Sequence, residues 1–178
     1  MVAMGSDGLD VEWGMRSMGA EKIAALVNTF GMSLISVSKE MGVQLSLVKS
    51  EVAQGVNTSG SCCAALVGVV GGGLQGTIVV MLDEPGFGAV VTAMSGGMIQ
   101  PSLEDPVSMS VIGELTNMVS GRALIQSSLQ EDDVTPPQII TGAGIRTIPT
   151  QSPGIRTFTL PFRVAQGGTL YLILSFHG

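Results

Sequence analysis

The feature that most constrains the fold is a long apolar stretch, residues 62–82, which only Gln75 and Thr77 interrupt. On length alone this stretch could cross a membrane as a helix. However, three consecutive glycines stand at its centre, at positions 71–73, and β-branched residues lie on both sides of them. Glycine permits tight chain reversals, and β-branched residues favour strands. The stretch therefore predicts two buried strands joined by a glycine turn, and no membrane span.

The composition excludes several other classes of protein. Hydrophobic residues make up 45% of the chain and charged residues 12%, which is typical of a folded domain and not of a disordered one. The net charge of −6 disfavours nucleic acid and anionic membranes as partners, because both repel an acidic surface. The length of 178 residues fits one domain, predicted at residues 18–178 after a loose lead-in over residues 1–17. The lead-in lacks the basic and apolar regions of a signal peptide, so we expect a cytoplasmic protein.

Residues that commonly build metal sites and nucleophilic sites are scarce. The single histidine, His177, stands next to the last residue, which disfavours a His-based metal site or a Ser-His-Asp triad. Cys62 and Cys63 are adjacent, and neighbouring strand residues point to opposite faces, so a disulfide or a shared metal site is unexpected. The glycine run is followed by neither Lys-Ser/Thr nor a helix, which disfavours a phosphate-binding loop. We therefore predict no metal and no cofactor of the chain's own.

The remaining patterns predict an α+β fold. Helical spacing of apolar residues, and acidic residues followed by proline, mark two long helices and one short helix: residues 18–41, 105–129 and 83–97. Alternation and apolar runs mark about six strands, two in the glycine hairpin and the others at residues 43–47, 138–141, 155–165 and 168–176. This order predicts a largely antiparallel sheet with the two long helices on one face. It also suggests an internal duplication, in which Asn28 of the first helix aligns with Asn117 of the third.

The third helix combines an apolar face with a narrow polar stripe. At about 100° per residue, the apolar face comprises Val111, Ile112, Leu115, Met118 and Val119. The stripe comprises Ser110, Glu114, Asn117 and Gly121. An exposed glycine within a helix costs roughly 1 kcal/mol relative to alanine, which suggests that Gly121 leaves room for another backbone. By itself Glu-x-x-Asn is a weak motif, and a solvated helix face is its simplest interpretation.

The surroundings make the motif more specific. The segment from Gly113 to Arg122 resembles the signature helix of the CheC/CheX/FliY family of chemotaxis phosphatases. Residues 76–82 resemble the family's strand before the short helix, and residues 137–142 resemble the strand after the signature helix. Residues 160–162 resemble the start of its last hairpin. The resemblance covers about residues 20–176, and the helix is its most specific part.

Members of this family hydrolyse the phospho-aspartate of CheY-like response regulators, so the resemblance implies a phosphatase and a phosphorylated regulator as its partner. It implies that Asn117 orients the attacking water and that Glu114 holds a lysine of the regulator. Ser110 and Gly121 would be weaker partner contacts. An amide suits the first role because it donates and accepts hydrogen bonds at once. The Mg²⁺ that phosphoryl transfer needs can come from the regulator's own acidic pocket.

One departure from the family pattern concerns the first helix. CheC-like members carry a second Glu-x-x-Asn there, but here Ala25 occupies the glutamate position, so Asn28 marks only a vestigial second site. A single site favours the CheX-like branch, which implies a homodimer, and strands without charges, such as residues 62–70, could pair between chains. The alternative interpretation is a non-catalytic binding module of the same fold, whose polar stripe docks a partner in a signalling complex.

Overall fold

The structure, a computed structural model, describes residues 18–71, 74–127, 131–148 and 153–177. Within these ranges the three α-helices are α1 (Met18–Glu40), α2 (Glu84–Met94) and α3 (Pro106–Gln126). The strands are β1 (Leu45–Leu47), β2 (Ala53–Gln54), β3 (Ser61–Gly71), β4 (Gly76–Asp83), β5 (Asp132–Val134), β6 (Gln138–Thr141), β7 (Ile155–Val164) and β8 (Thr169–His177). The predicted lead-in, residues 1–17, lies outside the described residues, and the single domain over 18–178 stays a prediction.

The predicted α+β architecture is confirmed, with eight strands in one antiparallel sheet in place of about six. The two strands that the sequence did not predict, β2 and β5, contain two and three residues. Such short strands offer too few positions for alternation to be recognised. The third helix ends at Gln126, before the predicted position 129, and its C-cap is Ser127.

The sheet order supports the predicted duplication. The strands follow the order β1-β7-β8-β4-β3-β5, and β6 also pairs with β3. The chain therefore contains two units that share one plan, α1-β1-β3-β4 and α3-β6-β7-β8. The last strands of the two units, β4 and β8, pair at the centre of the sheet. The first strand of each unit pairs with the hairpin of the other unit, β1 with β7 and β6 with β3.

The two long helices also match in the side chains that they bury. With Asn28 placed over Asn117, buried residues of α1 coincide with buried residues of α3: Ile23 with Ile112, Leu26 with Leu115, Val27 with Thr116, and Phe30 with Val119. Ala25 and Glu114 coincide as well, and both are exposed. Each helix thus turns the corresponding face towards the sheet.

The main core lies between the helices and one face of the sheet, as predicted. It contains the β4 side chains Ile78, Val80 and Leu82 together with buried residues of all three helices. The intervening residues Val79 and Met81 join a smaller cluster on the opposite face, because side chains alternate along a strand.

The glycine-centred hairpin is confirmed, since β3 and β4 pair in antiparallel fashion. However, β3 is not a free edge, because its other side pairs with β5 and β6. The prediction that residues 62–70 could pair between chains is therefore wrong. That side of the strand is occupied by two short segments that follow α3 in the chain.

A bulge alters the geometry of the two cysteines. The pairing of β3 with β4 shifts between Ser61 and Cys63, which leaves Cys62 as the extra residue. Both cysteines consequently contact the same main core, so the expectation that they point to opposite faces is wrong. Both are free thiols. Burial, followed by the charge of the neighbouring Cys62, raises the pKa of Cys63 to about 12, which disfavours a nucleophilic role.

Candidate functional site on α3

The helix that carries the polar stripe begins at a well-formed N-cap. The carboxylate of Asp105 accepts hydrogen bonds from the backbone N–H groups of Val107 and Ser108, both at 3.1 Å, and from the Ser108 hydroxyl at 2.9 Å. The hydroxyl, followed by the two N–H groups, lowers the pKa of Asp105, because these donors stabilise its ionised form. With Pro106 in the first turn, the cap fixes the start of α3, as the sequence predicted.

The inner face of α3 is more polar than the sequence indicated. Ile112, Leu115 and Val119 are completely buried, as predicted. Thr116 and Ser120 are buried beside them, and their hydroxyls donate to backbone carbonyls one turn earlier, at 2.8 and 2.7 Å. These internal hydrogen bonds satisfy the hydroxyls, so small polar residues can occupy the core side of the helix.

Gly113 fixes the distance between α3 and the segment around β6. A Cβ atom at Gly113 would lie 2.9 Å from Cδ1 of Ile139 and 3.3 Å from Cγ of Pro137. The absent side chain therefore allows β6 and the proline before it to lie directly against the helix. The glycine that precedes Glu114 is thus a packing residue on the inner face.

The predicted stripe lies on the outer face of α3. Ser110, Glu114 and Asn117 are exposed, and Gly121 is partly exposed. The Ser110 hydroxyl donates to the carbonyl of Val107 at 2.7 Å. Neither Glu114 nor Asn117 uses its side chain in a hydrogen bond or ion pair with another described residue. A carboxylate and an amide, three residues apart on one helical face, are therefore available to a partner.

Glu114 and Ser110 border a groove of about 540 Å³. The other side chains that line it are mostly apolar: Met41, Met94, Ser95, Ile99, Val111 and Met118. They come from the end of α1, the end of α2, the loop after α2 and the outer side of α3. Glu114 is the only charged group among the described lining residues. Sequence patterns did not reveal this groove, because its walls come from separate elements.

An ion pair holds the end of α1 against α3 close to the stripe. The guanidinium of Arg122 donates to both carboxylate oxygens of Glu40, at 2.6 and 2.8 Å, and to the Ser36 hydroxyl at 3.2 Å. The hydrogen bond from Arg122 lowers the pKa of Glu40, and the same contact raises the pKa of Arg122. Met41, which directly follows Glu40 in the chain, lines the groove.

Asn28 and Asn117 occupy equivalent positions but differ in their surroundings. The side-chain oxygen of Asn28 is buried and accepts no hydrogen bond from a described residue. A second groove, of about 690 Å³, lies beside Ala25 and is also lined by Lys22 and Thr29. This groove has no carboxylate where Glu114 stands in the other. The role of Asn28 as a vestigial second site stays a prediction.

The described part of the chain bears on two other kinds of site, a metal site and a membrane span. No group of three or more His, Cys, Asp or Glu residues is placed there to hold a metal ion. None of the helices in the described ranges combines the length and the hydropathy of a membrane span.

The geometry of α3 can be compared with known proteins, and the match includes the helix itself. A family model described as chemotaxis phosphatase CheX matches residues 63–160, more than half of the chain. The chain belongs to the CheX family. Glu114 and Asn117 both lie within the matched residues, as does the groove apart from Met41.

A curated relative of this CheX-family chain is the CheY-P phosphatase CheX of Thermotoga maritima. The two are 34% identical over 86 residues, which are 46% of this chain and 55% of the relative. The chain therefore spans about half the length of the curated relative that it matches.

Solved structures share the fold over most of the chain. A CheC-like superfamily protein from Shewanella sp. PV-4 is 28% identical, with a TM-score of 0.72, and the match covers 86% of this chain and 97% of that one. A chain from the CheX-CheY-BeF3-Mg²⁺ complex of Borrelia burgdorferi is 16% identical, with a TM-score of 0.63, and the match covers 84% and 96% of the two chains. The second likeness shows the fold alone.

Proposed function

We propose that this chain hydrolyses the phospho-aspartate of a CheY-like response regulator. The observation that carries the proposal is the pair Glu114 and Asn117, exposed and without partners among the described residues, on the helix that the family model matches. The relative named as a CheY-P phosphatase supports the activity. The name of that relative, CheY-P phosphatase, also supports a CheY-like protein as the partner.

Asn117 would act on the attacking water. In the reaction, water attacks phosphorus and the bond between phosphorus and the aspartate oxygen breaks, which yields inorganic phosphate and a free carboxylate. A carboxamide can accept a hydrogen bond from the water and donate one at the same time, which fixes the direction of attack. Asn117 can do this because its side chain makes no bond within the described chain.

Glu114 would bind the regulator. It lies one turn from Asn117 on the same face, so a cation that pairs with Glu114 is held close to the amide. A lysine of the regulator is the proposed cation. Phosphoryl transfer depends mainly on positioning and on charge neutralisation, and the regulator would supply the Mg²⁺ that neutralises the phosphoryl charge.

We also propose that the protein is a cytoplasmic homodimer, on the basis of its resemblance to the CheX-like branch. Pairing of sheets between chains would have to use the outer strands, β1 and β2 on one side or β5 and β6 on the other. Strand β3 is unsuitable because both of its edges are paired within the chain.

The deciding experiment is the decay of a phosphorylated CheY-like regulator in the presence of the wild-type protein or the Asn117→Ala variant. We expect the substitution to lower the catalysed rate by about 10²–10⁴-fold, because a group that positions water contributes mainly in the transition state. Binding of the phosphorylated regulator should stay nearly intact. Asn57→Ala is a matched control, since Asn57 is also exposed but lies far from α3 in the sequence. If Asn117→Ala hydrolyses as fast as the wild type, the non-catalytic binding module becomes the better interpretation.

A further inference from the structure

We infer that the groove beside Glu114 receives an apolar side chain of the regulator, next to the cation that Glu114 binds. The inference rests on the proposed function, because its occupant belongs to the same phosphorylated partner. Glu114 and Ser110 belong both to the polar stripe and to the groove lining, so a partner seated on the stripe also covers the groove.

The lining of the groove is suited to an apolar side chain from another protein. Three methionines from separate parts of the chain contribute to it and are all only partly buried: Met41 just after α1, Met94 of α2 and Met118 of α3. Methionine is unbranched and polarisable, so it adapts its shape to different apolar partners. A methionine-lined groove can therefore accept an apolar side chain without a rigid complementary shape.

Exposed apolar residues extend the groove across the surface. Met98 directly precedes the groove residue Ile99 and is 88% exposed. Val107 lies one turn before Val111 on α3 and is 56% exposed. Large apolar side chains exposed around an apolar groove mark a surface that a partner covers.

The charge of the groove restricts what can occupy it. Glu114 is the only charged group among the described residues that line it, so a phosphate group would be repelled. The favoured occupant is an apolar side chain whose neighbour on the partner surface is a cation. The groove therefore differs from the place of the phosphoryl group, which lies at Asn117 in the proposed function.

The duplicated architecture provides an internal comparison. The groove on α1 lies at the equivalent position and is lined by Lys22, Ala25 and Thr29. The corresponding α3 residues are Val111, Glu114 and Met118, and they line the groove described above. At these three positions the α1 groove therefore has neither the carboxylate nor the two apolar residues, although Ile23, Leu26 and Leu74 also line it. At these equivalent positions only α3 combines a carboxylate with two apolar residues, so we interpret Val111, Glu114 and Met118 as parts of one binding surface.

The first test measures affinity for a CheY-like regulator loaded with Mg²⁺ and beryllofluoride. Met41→Gln and Met94→Gln keep the length of each side chain but make it polar. Each should raise the Kd by about tenfold, because a polar amide in an apolar contact loses hydrogen bonds to water. Met109→Gln is the matched control, since Met109 is a partly buried methionine of α3 outside the groove, and it should leave the Kd unchanged.

The second test needs no substitution in the groove. With methyl-labelled methionine, the wild-type resonances of Met41, Met94 and Met118 should shift when the loaded regulator is added, whereas that of Met109 should not. If none of the three methionine resonances shifts and the Met→Gln variants keep the wild-type Kd, the groove inference is wrong. The proposed function still stands in that case if Asn117→Ala loses hydrolysis. If the wild type neither binds nor hydrolyses the regulator, both the proposed function and this inference fail.

Discussion

At the scale of single residues, the exposure of a polar group decides what it can do. Asn117 and Asn28 carry the same amide at equivalent positions of two related helices. The amide of Asn117 faces outwards, whereas the oxygen of Asn28 is buried without a partner among the described residues. Only an exposed amide can hold a water molecule that lies on another protein. The same reasoning applies to Glu114, whose carboxylate has no cation within the described chain and is available to one from a partner.

Replacement of Glu114 by glutamine tests its proposed pairing with a lysine. Glu114→Gln keeps the shape and removes the charge, so the affinity for the phosphorylated regulator should fall by roughly tenfold and depend less on salt. Titration calorimetry at two ionic strengths measures both effects. Glu21→Gln removes an exposed carboxylate from α1 and is the matched control. Equal affinities and equal salt dependence for Glu114→Gln and the wild type would contradict the proposed role.

At the scale of elements, α3 is fixed at several points so that its outer face stays available. Asp105 caps its start, Gly113 lets β6 pack closely behind it, and Arg122 ties its second half to α1. The inner face is closed by apolar residues and by hydroxyls that bond within the helix. A helix held in this way can present Glu114 and Asn117 in a fixed geometry.

Replacement of Gly121 by alanine tests its effect on helix stability separately from its effect on partner binding. A Cβ at this position would meet no atom within 4 Å, so Gly121→Ala should stabilise the helix by roughly 0.5–1 kcal/mol in the free energy of unfolding. If a partner's backbone approaches here, the same change should weaken binding. Gly88→Ala on α2 has equally open surroundings and should stabilise without affecting binding. Denaturant unfolding and binding titrations of both variants provide the comparison, and unchanged binding in Gly121→Ala would remove Gly121 from the partner surface.

The ion pair between α1 and α3 predicts a specific pH dependence. Since Arg122 lowers the pKa of Glu40 below its ordinary value of 4.5, the pair stabilises the folded state fully above that value. The contribution is lost as the pH falls through the lower folded-state pKa. The Tm difference between the wild type and Glu40→Gln should therefore be present at neutral pH and vanish in acid. It should be small and sensitive to salt, because the pair is exposed. A difference that persists unchanged into acid would contradict this assignment.

At the scale of the whole molecule, two related units share one sheet but differ in their surfaces. The pairing of β4 with β8 joins the units, and the first strand of each unit pairs with a strand of the other unit. The equivalent helices keep the same buried face, yet only α3 has a carboxylate beside its exposed amide. A duplicated scaffold can thus keep matching core residues while its two equivalent surfaces differ, since core and surface residues are under separate physical constraints.

The proposed homodimer is a prediction about the whole molecule. Light scattering coupled to gel filtration should give twice the chain mass at micromolar concentrations. Ile140 of β6 is exposed, and Ile140→Lys should weaken a dimer that uses this outer strand, because charged residues on an edge strand oppose pairing. A monomer at all micromolar concentrations would remove the dimer proposal without affecting the phosphatase proposal.

The features that depend on neighbours along the chain could be predicted from the amino-acid sequence. Helical spacing placed Ser110, Glu114 and Asn117 on one outer stripe, and the residue pair Asp105-Pro106 marked the start of their helix. The glycines near position 72 separated two buried strands. These signals are local, because the geometry of a helix or a turn is fixed by residues a few positions apart.

The features that join distant residues are visible only in the folded chain. Short strands after α3 cover the edge of β3, a bulge turns Cys62 towards the same core as Cys63, and Thr116 is buried although it is polar. The groove beside Glu114 exists because the ends of α1 and α2 meet the side of α3. No local pattern specifies such contacts, since they arise when packing of the core brings together segments that are far apart in the chain.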